Sequence, residues 1–184
     1  MIKPSALTIK SPTGTGLLKV LISDVSILDS VSNKTLSIKA IWDTGATGTV
    51  ITKSVVNQLG LLPSGKSLVS TANGQVLQNT YIVSVILPHG VREDGVLVTE
   101  ADALSGGCDA LIGMDIICLG DFSITNFNGN TCMAFRVPSL KEVDYVKTIN
   151  ANNDIIERHN KAELKPTAKC LCGSGKSFKN CHGK

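Results

Sequence analysis

Residues 40–51 of the 184-residue chain, AIWDTGATGTVI, place a single carboxylate between two apolar runs. The carboxylate belongs to Asp43, and small, flexible residues follow it. A carboxylate is a candidate for general acid or base chemistry. The same tripeptide is also an ordinary turn, in which the Asp side chain accepts backbone N–H groups. The rest of the sequence has to decide between these two interpretations.

A second cluster with chemical potential lies in residues 169–184, which hold three of the six cysteines beside a histidine. The four residues are Cys170, Cys172, Cys181 and His182, and the glycines between them let the chain double back. Three thiolates and an imidazole complete a tetrahedral zinc shell, and a loop too small for a core can fold on the metal alone. The pattern predicts one structural zinc ion per chain.

The elements that must position Asp43 are predicted to be mostly strands. Short β-branched or apolar stretches separated by turn residues are typical of an all-β sandwich or barrel. The predicted strands are residues 17–27, 36–41, 75–87, 95–99, 110–112, 122–126 and 131–137. Asn73-Gly74 and Asn128-Gly129 predict hairpin turns, because a type I′ turn needs positive φ at both central residues.

Helical signals are few. Residues 52–59, ended by Gly60, predict a short helix capped by Thr52, and residues 115–118 predict a single helical turn. Residues 141–164 are rich in helix formers and charge and predict a helical or partly flexible connector that stops at Pro166.

Length and composition narrow the class of protein. The chain suits one domain with an appendage, and it can bury a core without disulfides. No run approaches the roughly 20 apolar residues that span a bilayer, and residues 1–6 lack a secretory signal, so we expect a soluble, cytoplasmic protein without membrane contact. Residues 1–140 hold nine Lys and Arg against ten Asp and Glu, whereas residues 141–184 hold nine against five. The basic tail permits an acidic partner without demanding one.

About 65 residues after Asp43, residues 110–117 read ALIGMDII, an apolar strand that meets a glycine. Together with the run into Asp43, this ordered pair resembles the retropepsin-like aspartic proteases. A hairpin tip between the two motifs, at residues 72–75, stands where that family carries its flap. The resemblance covers roughly residues 15–138. It implies a single-lobed retropepsin-like β-barrel or sandwich, and we assign residues 1–138 to this domain.

The resemblance also implies an activity, aspartic-type endopeptidase. In this family two such loops meet on a two-fold axis, and their carboxylates share one proton and hold a water molecule between them. Asp43 would be the catalytic acid and base, Thr44 would hydrogen-bond to the partner loop, and Gly45 would allow close backbone approach. Ala46 would border the substrate, and Trp42, next along an extended strand, should point into the core.

The chain holds one such loop, so an active enzyme must be a homodimer that contributes one Asp43 from each chain. The flap, roughly residues 68–80 with its tip at Ala72, Asn73 and Gly74, would close over an extended peptide or protein substrate. An ordinary surface hairpin remains the alternative interpretation of this segment.

The cysteine-rich tail closely resembles the SEC-C zinc motif, with Cys170, Cys172, Cys181 and His182 at the ligand positions. We assign residues 139–166 to the connector and residues 167–184 to this motif. The resemblance implies docking to a protein or ribosomal partner. A closed four-ligand shell is structural, so catalysis needs no cofactor.

The remaining chemical groups have plainer interpretations. Cys108, Cys118 and Cys132 lie in apolar surroundings and are expected to be small core residues. Asp115 is expected to cap the short helix after it, with a second catalytic acid as the alternative.

Two hypotheses stay open at this point. The first is a dimeric aspartic endopeptidase with a zinc-bound docking tail. The second is a catalytically silent adaptor that binds an extended peptide, with the tail tethering it to translation or secretion machinery.

Overall fold

The computed structural model describes residues 3–12, 15–71 and 74–184. Its contacts group the chain into two compact units, Met1–Leu140 and Lys141–Lys184. Within the described residues, no helix has the length and apolarity that crossing a membrane requires.

The first unit is built from strands. Its strands are β1 (Ser5–Lys10), β2 (Ile22–Leu28), β3 (Thr35–Trp42), β4 (Val50–Thr52), β5 (Gly65–Thr71), β6 (Gly74–Ile86), β7 (Arg92–Ala101), β8 (Ala110–Ile112), β9 (Asp121–Thr125) and β10 (Cys132–Val137). Two short helices interrupt them, α1 (Lys53–Leu59) and α2 (Met114–Ile117). The predicted all-β class is therefore confirmed.

The strands form two sheets. Seven strands pair in the order β2-β3-β8-β4-β7-β6-β5, with β2 also pairing to β6, and the other three pair in the order β1-β10-β9. Most neighbours are antiparallel, but β3 runs parallel to β8 and β4 runs parallel to β7. The parallel pairing of β3 and β8 brings the carboxyl ends of both strands to one place.

Alternating side chains fill the core. In β3, Ile38, Ala40 and Trp42 are buried while the residues between them are more exposed, as the period of two in a strand requires. Trp42 packs on Phe135 with ring centroids 5.2 Å apart, and its Nε1 donates a hydrogen bond to Ser23 Oγ at 2.9 Å. The expected inward orientation of Trp42 is confirmed.

The predicted strands all exist, and most of them have shifted ends. Residues 110–112 form β8 as predicted, whereas β2 begins at Ile22 and not at residue 17. Leu17 and Val20 are about half exposed, and Ile22 is the first residue to find a partner, Ile41. Three strands were missed: β1 has one buried residue, Leu7, β5 has none among its described side chains, and β4 has only three residues.

Two helix boundaries differ from the prediction for identifiable reasons. Thr52 precedes α1 but makes no side-chain capping bond, since its Oγ1 donates to Asp109 Oδ1 at 3.3 Å. Gly60 closes α1 with a positive φ of 70°, as expected of a C-terminal glycine. The connector helix α3 (Tyr145–Lys161) ends before Pro166, so the proline does not stop it.

The predicted turn at Asn128-Gly129 is confirmed in its backbone conformation. Asn128 has a φ of 51° and Gly129 a φ of 73°, between β9 and β10. At the other predicted turn, Gly74 begins β6 and pairs with Thr71, and Ala72 and Asn73 lie outside the described residues.

Candidate functional site

Asp43 is the first residue after β3, and neighbouring backbone holds it in place. Its N–H donates to the Ile112 carbonyl of β8 at 3.0 Å, which extends the β3–β8 pairing by one step. Since Trp42 points inward, Asp43 lies on the opposite side of the chain and is partly exposed. A carboxylate at this point can reach solvent while its backbone stays fixed to the sheet.

The loop after Asp43 folds back on the carboxylate. The Gly45 N–H donates to Asp43 Oδ1 at 2.8 Å, and the Ala46 N–H donates to the Asp43 carbonyl at 3.3 Å. A Cβ at Gly45 would lie 3.1 Å from Asp43 Oδ1, so any side chain there would crowd the acid. Thr44 is exposed beside it. The turn interpretation of the tripeptide is therefore confirmed, and the turn holds the carboxylate in a fixed position; the acid or base role of Asp43 stays a prediction.

A second loop, after β8, supports the first. Gly113 passes so close to Gly48 that a Cβ on Gly113 would lie 2.5 Å from the Gly48 carbonyl carbon and oxygen. Beyond it, the Met114 N–H donates to the Ala46 carbonyl at 2.8 Å and the Asp115 N–H to the Thr47 carbonyl at 3.2 Å. The glycine noted in the sequence is thus required by loop-to-loop contact.

Asp115 ties the two loops together through its side chain. It accepts from the Thr49 N–H at 2.9 Å and from Thr49 Oγ1 at 2.8 Å, across 66 positions of sequence. The N-terminal cap of α2 is Gly113, so the expectation that Asp115 caps this helix is wrong. Asp115 lies in the first turn, where its Oδ1 also accepts a hydrogen bond from the Ile116 N–H. Thr49 is 1% exposed and was missed, because an isolated threonine gives no sequence signal.

The hairpin predicted as the flap is formed by β5 and β6, with Leu68 opposite Leu77 and Val69 opposite Val76. Leu68, Val76 and Leu77 are all substantially exposed. Of the tip residues proposed to contact substrate, only Gly74 is described, as the first residue of β6.

A hydrogen-bonded cluster fixes the root of this hairpin. Glu100 on β7 accepts from Tyr81 Oη at 2.6 Å and from Asn79 Nδ2 at 2.8 Å. Burial, and secondarily the Glu100 carboxylate, raise the pKa of Tyr81, so this hydroxyl remains a donor at neutral pH. The cluster was not expected from sequence, because its members are spread over two strands.

The second unit gathers the four predicted ligands. The ligand atoms of Cys170, Cys172, Cys181 and His182 all lie within 4.8 Å of one another. His182 Nδ1 is 3.2 Å from Cys170 Sγ and 3.3 Å from Cys181 Sγ, and the Sγ atoms of Cys172 and Cys181 are 3.6 Å apart. Ligand atoms around tetrahedral zinc are separated by about 3.5–3.8 Å, given the usual bond lengths. The observed separations lie within a few tenths of an ångström of this range, so the three thiols and the imidazole are compatible with a zinc site.

Local backbone explains how a short loop reaches this geometry. Gly173 and Gly175 both have positive φ, and the Cys170 N–H donates to the Lys176 carbonyl at 2.8 Å across the turn. The hydroxyl of Ser174, 3.1 Å from Cys172 Sγ, stabilises the thiolate and lowers the pKa of Cys172 to about 6. A preformed thiolate is the form that binds metal.

The other cysteines divide by environment. Cys108 is buried as expected, but Cys132 is only partly buried and Cys118 is exposed at the end of α2. The expectation for Cys118 is wrong, because Cys118 follows α2 as its C-terminal cap and is exposed, whereas Ile116 and Ile117 within the helix are buried.

A family model described as "gag-polyprotein putative aspartyl protease" matches residues 30–118, and a model of the SEC-C motif matches residues 167–184. A comparison with curated proteins finds no match.

Several solved structures are similar at low identity. A retropepsin-like aspartic protease from Rickettsia conorii is 15% identical over 74% of this chain and 98% of that chain, with a TM-score of 0.48. The retroviral protease-like domain of Ddi1 from Leishmania major is 21% identical over 68% and 99%, with a TM-score of 0.39. The EIAV protease in complex with an inhibitor is 20% identical over 58% and 90%, with a TM-score of 0.42. On the two family models, the chain carries a retropepsin-like aspartic protease domain followed by a C-terminal SEC-C motif.

Proposed function

We propose that the protein is an aspartic endopeptidase in which Asp43 from each of two identical chains forms the catalytic dyad. The observation that carries the proposal is the Asp43 loop itself: a partly exposed carboxylate on a backbone fixed by β8 and by the loop after it. Each chain supplies one such loop within the segment that matches the protease family. A symmetric pair of chains supplies the second acid.

The reaction would be hydrolysis of a peptide bond by water. Two carboxylates a few ångströms apart do not both ionise, so the pair holds one proton. The ionised Asp43 takes a proton from the water molecule while the oxygen of that water bonds to the peptide carbon. The protonated Asp43 of the other chain gives its proton to the carbonyl oxygen. Collapse of the tetrahedral intermediate breaks the C–N bond: the protonated carboxyl of the dyad gives its proton to the leaving amine, and the ionised carboxylate takes a proton from one hydroxyl of the intermediate, which restores the singly protonated dyad.

Residues around Asp43 would fix this geometry. Gly45 keeps the carboxylate in place through its N–H, and its lack of a side chain leaves room for the partner loop and substrate. Thr44 is exposed, so its hydroxyl is free to bond across the two-fold axis. Ala46 would contact substrate without offering a side-chain donor to the dyad.

The hairpin of β5 and β6 would bind the substrate as a flap. An extended peptide can add to it like another strand, with backbone hydrogen bonds giving affinity and side-chain pockets giving preference. The exposed leucine and valine side chains on this hairpin favour apolar substrate residues. Ala72, Asn73 and Gly74 would form the tip.

The tail would bind one structural zinc ion through Cys170, Cys172, Cys181 and His182. When bound, the metal cross-links the two ends of the loop and supplies no chemistry to hydrolysis. The segment would then dock to a protein or ribosomal partner through exposed lysines. These are Lys165, Lys169, Lys176, Lys179 and Lys184.

The test is cleavage of an unbiased peptide library by wild type and Asp43→Asn, across protein concentrations. We expect wild type to cut with a specific activity that rises with concentration, and Asp43→Asn to be inactive. Asp24→Asn, which changes an exposed aspartate on β2, is the matched control and should cut like wild type. Equal cutting by Asp43→Asn would refute the dyad, and no cutting by any variant would favour a silent peptide-binding adaptor.

A further inference from the structure

The connector helix α3 contacts the predicted zinc loop through one polar side chain. Asn152 Oδ1 lies 3.1 Å from His182 Nε2, while the other ring nitrogen of His182 faces Cys170 and Cys181. Asn152 stands outside the residues that match the SEC-C motif, which begin at residue 167.

The orientation of the imidazole decides what Asn152 does. If Nδ1 binds the metal, it carries no proton, so the neutral ring has its proton on Nε2. The Nε2–H then donates to Asn152 Oδ1, and this hydrogen bond favours the tautomer that binds metal. Partners of this kind, beyond the ligands themselves, orient ligands and tune metal affinity.

A stacked aromatic pair fixes the distance between helix and loop. His159, two turns after Asn152, is 2% exposed and stacks on Phe178 with ring centroids 3.6 Å apart and planes 11° from parallel. Phe178 in turn lies against Gly183, where a Cβ would meet its ring at 2.6 Å. Asn152 is thereby presented to His182 by a packed contact and not by a free helix.

We propose that Asn152 is a positioning residue for the zinc ligand His182, and that α3 and the SEC-C motif form one metal-binding unit. The proposal rests on zinc binding by the tail, as given under Proposed function. It assigns the connector a part in metal affinity, beyond linking two segments.

The first measurement is zinc content and zinc affinity of the full chain, by metal analysis and by competition with a chromophoric chelator. We expect one zinc per chain in wild type and about tenfold weaker zinc binding by Asn152→Leu. This value is the low end of the usual 10–100-fold effect, because water can reach the exposed Asn152. Asn152→Asp keeps an acceptor and should restore affinity, and Asn153→Leu, at the exposed neighbouring position, should leave it unchanged.

The second measurement separates positioning from folding. Nitrogen-15 chemical shifts of the His182 ring in zinc-loaded protein should show metal on Nδ1 and a proton on Nε2. In Asn152→Leu, we expect the Nε2 shift to move while the backbone spectrum of β1–β10 stays the same. Wild-type affinity and an unmoved Nε2 shift in Asn152→Leu would refute the proposal, as would equal weakening by Asn153→Leu. Absence of zinc in wild type would instead refute the zinc site itself.

Discussion

Asp43 and Asp115 show how neighbours decide the use of a carboxylate. Asp43 accepts one backbone N–H at Oδ1, and in the described part of the chain Oδ2 has no hydrogen-bond partner. Asp115 accepts from Thr49 with both oxygens. One acid keeps an oxygen that no described group bonds, and the other is engaged in holding the loops. The sequence predicted Asp43 through its tripeptide, but it could not reveal Thr49, whose partner is 66 positions away.

Thr49→Val is expected to destabilise the first unit. Valine keeps the size of the buried side chain but removes the hydroxyl that Asp115 and the buried Gly113 N–H use. An unpaired buried N–H and a lost charged hydrogen bond predict a cost of about 1–2 kcal/mol in the free energy of unfolding. Urea unfolding followed by fluorescence of Trp42, the single tryptophan, measures this unit alone.

The control for this variant is Thr47→Val, at an exposed position of the same loop. Its unfolding midpoint should stay near that of wild type. Equal effects of the two substitutions would show that the Thr49 hydroxyl has no special part in stability.

At the scale of elements, the contact between the loop after β3 and the loop after β8 leaves no room for an added side chain at Gly113. Gly113→Ala should lower the free energy of unfolding by about 1–3 kcal/mol or more, as overpacking against fixed backbone does. The added methyl group meets the backbone of Gly48, which no side-chain rotation can relieve. Thermal unfolding followed at Trp42 tests this.

Gly48→Ala is the matched control, because a Cβ on Gly48 meets no atom within 4 Å and its φ is not positive. We expect this variant to unfold near the wild-type temperature. Greater destabilisation by Gly48→Ala than by Gly113→Ala would contradict the account of the contact.

The β9–β10 pair depends on the ionised form of Asp121. The Leu140 N–H, the Ser139 hydroxyl and the Arg136 guanidinium all donate to this carboxylate and hold the pKa of Asp121 well below its usual range. A carboxyl group whose pKa is lower in the folded state stabilises the fold at pH values above its unfolded pKa of about 3.9. This stabilisation is lost as the pH falls below that value. Wild type should therefore exceed Asp121→Asn in unfolding temperature at pH 7, and the gap should narrow between about pH 4 and pH 2.

Asp24→Asn serves as the reference for acid unfolding, since its partner Lys39 and Asp24 itself are mostly exposed. The unfolding temperature of Asp24→Asn should stay close to that of wild type across the same pH range. A pH-independent gap for Asp121→Asn would exclude the ionised carboxylate as the cause.

What could be predicted at the level of elements follows from burial. Strands with alternating burial, such as β3, leave a periodic pattern that the sequence displays. Strand β5 has no buried residue among its described side chains, and β4 is too short to show a pattern. The ends of β2 and α3 depend on partners and local turns that composition does not reveal.

At the scale of the whole molecule, the two units carry different sources of stability. The first has a continuous apolar core that includes Val55, Val85, Ile112 and Phe135. The second has little buried apolar surface, namely Cys170 and Phe178 among its hydrophobic residues, so the proposed zinc ion would take the place of a core. The four-residue ligand pattern was visible in sequence, but the burial of His159 was not, because its partner Phe178 belongs to the tail.

Metal removal is therefore expected to affect one unit only. Chelation of the full chain should reduce the far-ultraviolet signal of α3, because a 17-residue helix without its packing partner is marginal in water. The fluorescence of Trp42 and cleavage of a short free peptide should not change. Cys172→Ser should act like chelation, and loss of peptide cleavage in either case would contradict the independence of the two units.

The parallel pairing of β3 with β8 also sets when, during synthesis, the Asp43 loop becomes ordered. The loop after β3 takes its hydrogen bonds from Ile112, Met114 and Asp115, which leave the ribosome long after Asp43 itself. Closing so long a segment is entropically unfavourable until the strands between have paired. A nascent chain that stops before α2 thus contains the acid without its ordered loop, so the proposed dimer and its proposed peptidase activity would require nearly the whole domain to be made first.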